Sequence, residues 1–297
     1  MDMFLCACGA PPGEESAGTA PQTLPPGEPR SGERSAKQAH GIIQVPLPPP
    51  AASQSGKEVF VMITPSSVLL PPGGQRILVM MAHPDDAEFI CGGTVARLVQ
   101  EGREVHYLLV TRGDKGNYDP DMTAERLMVI REEEQRRAAA VLGVQSVTFL
   151  EGYRDGEVEV SLTLRKALAL EVRKIRPDIV FSFDPWKMYE HHPDHRATAT
   201  CSLDALVAAR SPMYFPEQLR DGITPHRVRQ VYFFSTDRPN HWVDISEVID
   251  KKIEALRCHV TQTKNMELDA YVRRHATIAG IEQHYELAES FHHYVPG

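Results

Sequence analysis

Residues 76–93 read RILVMMAHPDDAEFICGG. The first seven, Arg76 to Ala82, form an apolar run with the length of a buried strand, and Gly92-Gly93 falls within a pattern that continues as a helix. His83, Asp85 and Asp86 lie between the two. A strand feeding directly into a helix places that imidazole and those carboxylates beyond a strand's carboxyl end, where open α/β sheets gather their ligands.

Working outward, strand and helix signals alternate. Helices are expected at 88–101, closed by Gly102, at 123–142, from a Thr123 cap to Gly143, and at 161–176, halted by Pro177. Strands are expected at 104–111, 146–150 and 178–183. The last of these runs into DPWKMYEHHPDHRATA (184–199), a second cluster of His and Asp at a strand end. Two such clusters converge if both strands are parallel, as right-handed crossovers require. Further on, 228–234 and 241–245 read as strands and 246–259 as an amphipathic helix with Ile249, Ile253 and Leu256 on one face. The tail YELAESFHHYV (285–295) is open between a strand and an irregular segment. The pattern predicts an α/β fold: a Rossmann-like three-layer α/β/α arrangement around a mainly parallel sheet.

Composition sets limits on this reading. The 297 residues are 42% hydrophobic, enough for a sizeable core. A net charge of -8 without a basic patch excludes general nucleic-acid or anionic-membrane binding, which needs clustered Lys and Arg. No apolar run reaches the roughly 18 residues of a membrane helix. Five cysteines without C-x-x-C spacing suggest neither a disulfide scaffold nor a structural zinc knuckle, and fit a reducing cytoplasm. Thirteen of the 23 prolines fall within residues 1–75. Residues 1–70 are accordingly expected to be disordered, apart from a short strand signal at 59–63, and 71–297 to form one domain. Two readings stay open for the leading segment: a genuine tail, or residues upstream of a true start at Met62.

His83 and Asp86, three apart on a turn, together with His195 after the later strand, make a His-Asp-His set suited to a catalytic Zn2+ with one open position. Asp85 stands beside that set without being needed as a ligand, which suits a general base acting on water. His192 suits a general acid or a donor to a developing oxyanion. Asp194 either caps the helix beginning near His195 or fixes the tautomer of an imidazole, and with Asp155 it is assigned to the substrate side. His191 is read as a loop residue. The plainer alternative is that Asp85 or Asp86 caps the first helix and His83 is a core histidine.

AHPDDAE with the following glycine pair, REEEQRRAAAVLG, and FDPW-x3-E-x-HPDHR together resemble the LmbE/PIG-L family of zinc-dependent N-deacetylases over roughly residues 75–290. DPWKMYEHHPDHR and NHWVDISEVIDKKIEALRCH are most similar to its diacetylchitobiose deacetylase-like branch. The resemblance implies an LmbE-like fold, His83, Asp86 and His195 as zinc ligands, Asp85 as base, and His192 as oxyanion donor or acid. It implies that Arg131 contacts the substrate near the acetyl group or a hydroxyl, that the substrate is a small N-acetylated sugar or glycoconjugate, and that the chain forms a homo-oligomer.

Weaker signals stand beside these. Asp155-Gly156 is either a sugar contact or simply a turn. Trp186 and Tyr189 are either a sugar-stacking surface or, for Trp186, core packing. Glu134 is expected to pair or cap within its own helix. GDKG and CGGT fit neither a phosphate loop nor a dinucleotide fingerprint. Two rival readings remain: a two-metal phosphoesterase, which needs a further cluster of ligands, and a non-catalytic sugar- or metal-binding protein, for which Asp85 would have no use.

Overall fold

The structure, a computed structural model, describes residues 76–297. The expected disordered segment at 1–70 and the strand signal at 59–63 lie outside the described residues. In chain order the main elements are β1 (Arg76–Met81), α1 (Asp86–Gln100), β2 (Glu104–Leu109), α2 (Ala124–Leu142), β3 (Ser146–Phe149), α3 (Leu162–Ile175), β4 (Ile179–Phe183) and α4 (Pro193–Ala209). They are followed by β5 (Gln230–Phe234), β6 (His241–Asp244), α5 (Ile249–Arg257), α6 (Val260–Thr263), α7 (Leu268–Gly280) and β7 (Ala288–Tyr294).

Seven strands form one sheet in the order β3-β2-β1-β4-β5-β7-β6. The first five run parallel, and β7 is antiparallel to both of its neighbours. Alternation along β1 explains the layers: Ile77, Val79 and Met81 face a core shared with α1, α2, α5 and α7. Leu78 and Met80 face the core under α3 and α4. Ile249, Ile253 and Leu256 all enter the first core, as their spacing predicts.

Local signals hold at most boundaries. Thr123 Oγ1 accepts from the Arg126 amide at 3.2 Å, and Gly143 closes α2 at φ 84°. The last third differs more. The tail is a true strand, β7, inserted between β5 and β6. Helix α7, with Leu268, Val272 and Ala276 four apart on its buried side, is absent from the sequence reading. The strand anchors the fold's opposite end: α1 is broken at Cys91 (φ −132°), and the freed Gly93 and Thr94 amides donate to Glu289 of β7 at 2.9 and 2.7 Å. Lys252 of α5 neutralises that buried carboxylate at 2.6 Å.

Arg173 of α3 is buried without a carboxylate partner, a costly position for a charge. Its guanidinium instead gathers the carbonyls of Ala208, Ala209, Ser211, Tyr214 and Phe215, and Gln218 Oε1. It thereby caps the negative end of α4, the helix whose other end carries His195. Arg173→Met should lower unfolding stability by about 2 kcal/mol or more, because those carbonyls lose their donors. A denaturant midpoint unchanged from that of the parent chain would show that water replaces the guanidinium.

Candidate active site

The strand order turns at the β1–β4 boundary: β2 and β3 continue on one side, β4 and β5 on the other. The segments leaving β1 and β4 therefore meet at the switch point of the sheet. The first delivers His83, Asp85 and Asp86, and the second delivers Glu190, His192 and His195. The segment after β3 adds Asp155.

Two imidazoles are each backed by carboxylate. His83 Nε2 lies 2.9 Å from Asp194 Oδ2 and 3.2 Å from Asp155 Oδ1, while its Nδ1 faces Asp86 Oδ2 at 3.7 Å. His195 Nδ1 lies 3.5 Å from Glu190 Oε1, while its Nε2 faces Asp86 Oδ1 at 3.4 Å. Its ring also stacks on Phe183, the last residue of β4, with centroids 4.1 Å apart. The nitrogens turned to the carboxylates act as donors, so the opposite nitrogens present lone pairs towards Asp86. Asp86 Oδ2 accepts from the Ala82 and His83 amides at 3.1 and 2.8 Å, which leaves Oδ1 available.

These residues fit a metal ion. The contacts of 3.4 and 3.7 Å to Asp86 are long for hydrogen bonds. The 3.4 Å between His195 Nε2 and Asp86 Oδ1 matches the ~3.3 Å edge of a tetrahedron whose metal–ligand bonds are ~2.0–2.1 Å, whereas the 3.7 Å from His83 Nδ1 runs to Oδ2, the oxygen held by the amides. Burial alone would discharge His83. The hydrogen bonds that Asp155 and Asp194 accept from it and the charge of Asp86 instead push it up to about 10, so the surroundings strongly favour positive charge. One nitrogen each from His83, His192 and His195 also lie within 4.8 Å of one another. An overlapping set, His83, Asp155, His192 and Asp194, shares two of these residues. Both sets draw on His83 and His192, so they are two views of one cluster. The donors therefore suit one ion, because the two sets overlap rather than standing apart as a two-metal site requires.

Asp85 occupies the N-cap position of α1 in the left-handed region, φ 90°, yet its side chain makes no capping bond. The capping alternative thus fails for Asp85, and Asp86 points backwards onto the strand end. The Asp85 carboxylate lies 3.1 Å from Arg131 Nη2. Burial pushes it up to about 6 against the pull of the Arg131 guanidinium. His192 is half-buried at the N-cap of α4, its Nδ1 accepting from the Asp194 amide at 3.3 Å. That bond leaves the proton on Nε2. Burial first, and then the neighbouring His83 and His195, lower His192 to about 4, so it is a neutral donor.

Three expected substrate contacts are turned inward. Arg131 is 3% exposed, and its Nη2 and Nη1 reach Pro84 O at 2.7 Å and Gly113 O at 3.0 Å. A Cβ at Gly113 or Gly116 would stand 2.2 or 2.5 Å from Nη1, so the loop after β2 closes on this side chain only with glycine there. Asp155 is 7% exposed and faces His83 and the Lys115 amide. Asp194 is fully buried, accepting from the Gly156 and Val158 amides at 2.7 and 3.1 Å, and is not the cap of α4. All three use most of their polar atoms to hold the site, with Arg131 Nε alone left without a hydrogen-bond partner. Glu134 caps α6 rather than its own helix, accepting from Thr261 N and Oγ1 at 2.8 and 2.6 Å. His191 is exposed, as a loop residue should be. Trp186 is 66% exposed and Tyr189 91%, so Trp186 is not a core residue.

Sequence reasoning assigned no role to Glu190, although it stands in the FDPW-x3-E-x-HPDHR motif, two residues before His192. It accepts from the His192 amide at 3.2 Å and pairs with Lys187 at 2.9 Å. Burial would raise its pKa, but His195 and Lys187 hold it well below the usual range. Gln135 was also missed; its position one turn after Arg131 on α2 was the available signal.

The chain is similar to known proteins in sequence and in fold. The profile of the PIG-L family, described as GlcNAc-PI de-N-acetylase, matches residues 78–206. The diacetylchitobiose deacetylase of Thermococcus kodakarensis is 36% identical over 226 residues, covering 75% of this chain and 84% of the relative. A probable N-acetyl-alpha-D-glucosaminyl L-malate deacetylase 2 of Bacillus anthracis is 31% identical over 201 residues, covering 65% and 85%. Among solved structures, the inhibitor complex of N,N'-diacetylchitobiose deacetylase from Pyrococcus horikoshii matches with a TM-score of 0.72 at 31% identity, over 75% of this chain and 85% of that one. On the sheet order and on these similarities, the chain belongs to the PIG-L family of de-N-acetylases, metal-dependent hydrolases of carbon–nitrogen bonds.

Proposed function

We propose that the chain hydrolyses the N-acetyl group of an N-acetylglucosamine-type sugar or sugar conjugate, with zinc as its metal, and releases acetate and the free amine. The observation that carries this reading is the unlike work of adjacent aspartates. Asp86 faces both His83 and His195, while Asp85 faces neither and keeps a raised, buried carboxylate. His83, Asp86 and His195 would hold the ion. When bound, it supplies a Lewis acid that polarises the acetyl carbonyl and makes water more acidic.

The chain's own groups do the rest. Asp85 accepts a proton from the attacking water while Arg131 fixes one of its oxygens. His192 donates its Nε2 proton in a hydrogen bond to the carbonyl oxygen as negative charge develops there. Asp85 then passes its proton to the departing nitrogen as the C–N bond breaks, so water's elements are divided between acetate and amine. A neutral His192 needs no further proton to act as that donor, which favours Asp85 over His192 as the acid for the amine.

Finer statements belong to the same proposal. The exposed Trp186 and Tyr189, on the segment leading to Glu190, offer aromatic faces to sugar rings. No described helix is long and apolar enough to cross a membrane. Cys91, Cys201 and Cys258 are free thiols, and we assign the chain to the cytoplasm on that composition. The resemblance to the diacetylchitobiose branch supports a homo-oligomer, and light scattering at micromolar concentration tests it.

Acetate release should be lost on chelation and restored by zinc, across a panel of N-acetylglucosamine oligosaccharides and conjugates. Asp86→Ala should lose both zinc and turnover. Asp85→Asn should keep zinc while kcat falls on the order of 10² or more. Loss of zinc from the Asp85 variant alone would exchange the two assignments.

The pH profile offers a separate check. The rate should fall on the acid side as Asp85 becomes protonated. Arg131→Met removes the charge that holds its carboxylate down, so that limb should move to higher pH. An unmoved limb in a folded, zinc-loaded variant would assign the limb to another group.

A further inference from the structure

Asp85 is a residue with a side chain held at φ 90°, a conformation that costs on the order of 1–3 kcal/mol and persists only where neighbours enforce it. Two neighbours do so. Arg131 grips Pro84 O and the Asp85 carboxylate together. Gln135 touches only the backbone: its Oε1 accepts from the Asp85 amide at 2.9 Å. The amide's orientation is itself dictated, because its Nε2 donates to Glu88 Oε1 at 3.0 Å. Glu88 Oε2 in turn meets His259 Nε2 at 3.2 Å. Gln135, Glu88 and His259 are each fully buried. The chain of bonds thus runs from the base through α2 and α1 to the residue preceding α6.

We propose that Gln135, aligned by Glu88 and His259, is a positioning residue that holds Asp85 in its left-handed conformation and so aims the carboxylate at the attacking water. This rests on the reading of Asp85 as base. The metal donors have their own supports, namely the Ala82 and His83 amides for Asp86, Asp194 for His83 and Glu190 for His195. A change at Gln135 therefore reaches Asp85 and spares the ion. Unlike Arg131, Gln135 carries no charge to the carboxylate, so its effect is one of placement.

The test is a double-mutant cycle between Gln135→Met and Asp85→Asn on the zinc-loaded full chain, reading kcat, KM and bound zinc. Gln135→Met should lower kcat on the order of 10- to 100-fold, the effect of a displaced catalytic group, with KM and zinc content unchanged. In the Asp85→Asn background the same substitution should change the residual rate by less than about twofold, because the group it positions is already disabled. An equal fold-loss in both backgrounds, loss of zinc, or an unaffected kcat overturns the proposal. An Asp85→Asn variant with parental kcat would instead overturn the assignment of the base. Should Gln135→Met fail to give a cooperative melt, Gln135→Asn, which keeps the amide but withdraws it by one methylene, is subject to the same outcomes.

Discussion

Parallel pairing of β1 with β4, with Val79 opposite Phe181, is the constraint from which the site follows. Had either strand been reversed, His83 and His195 would leave opposite edges of the sheet. Because both run the same way and the strand order turns between them, the two segments emerge side by side. Burial of both sheet faces makes that pairing robust, since each face of β1 fills its own core.

Upon that frame the site is assembled mostly from negative charge. Asp86, Asp155, Asp194 and Glu190 surround two of the imidazoles, with Asp85 against Arg131 beside them and Lys187 against Glu190. Such a gathering would be costly in a dry interior without a cation at its centre. The carboxylates behind the rings choose which nitrogen is free, and the backbone amides choose which oxygen of Asp86 is free. Coordination geometry is thus set by groups that need not touch the ion.

Much of this was legible from residue types. His83, Asp85 and Asp86 are local to one turn, so strand-end reasoning sufficed to place them, and the HPDH motif marked His192 and His195. Side-chain direction was less accessible. Resemblance points Arg131 at the substrate, with Asp155 and Asp194 assigned beside it, yet each is turned inward by partners elsewhere in the chain, from 18 residues away for Gly113 and Arg131 to 36 or more for Asp155 and Asp194. Glu190 is part of a recognisable motif, but its contact with His195 depends on how the segment after β4 folds back. Strand β7 takes its form from antiparallel pairing with β5 and β6, which local pattern does not carry, whereas the spacing of Leu268, Val272 and Ala276 was a local signal for α7.

The place of β7 also bears on how the chain reaches this state. Its residues are synthesised after every other described strand, yet they lie in the sheet between β5 and β6, and Glu289 supplies the acceptor that mends the break in α1, almost two hundred residues earlier. While the chain is still being made, the freed amides of α1 and the ammonium of Lys252 lack their buried carboxylate partner. The helix that begins with a metal-ligand candidate therefore settles only once β7 has joined the sheet. Such distant pairings are slow to form and raise contact order.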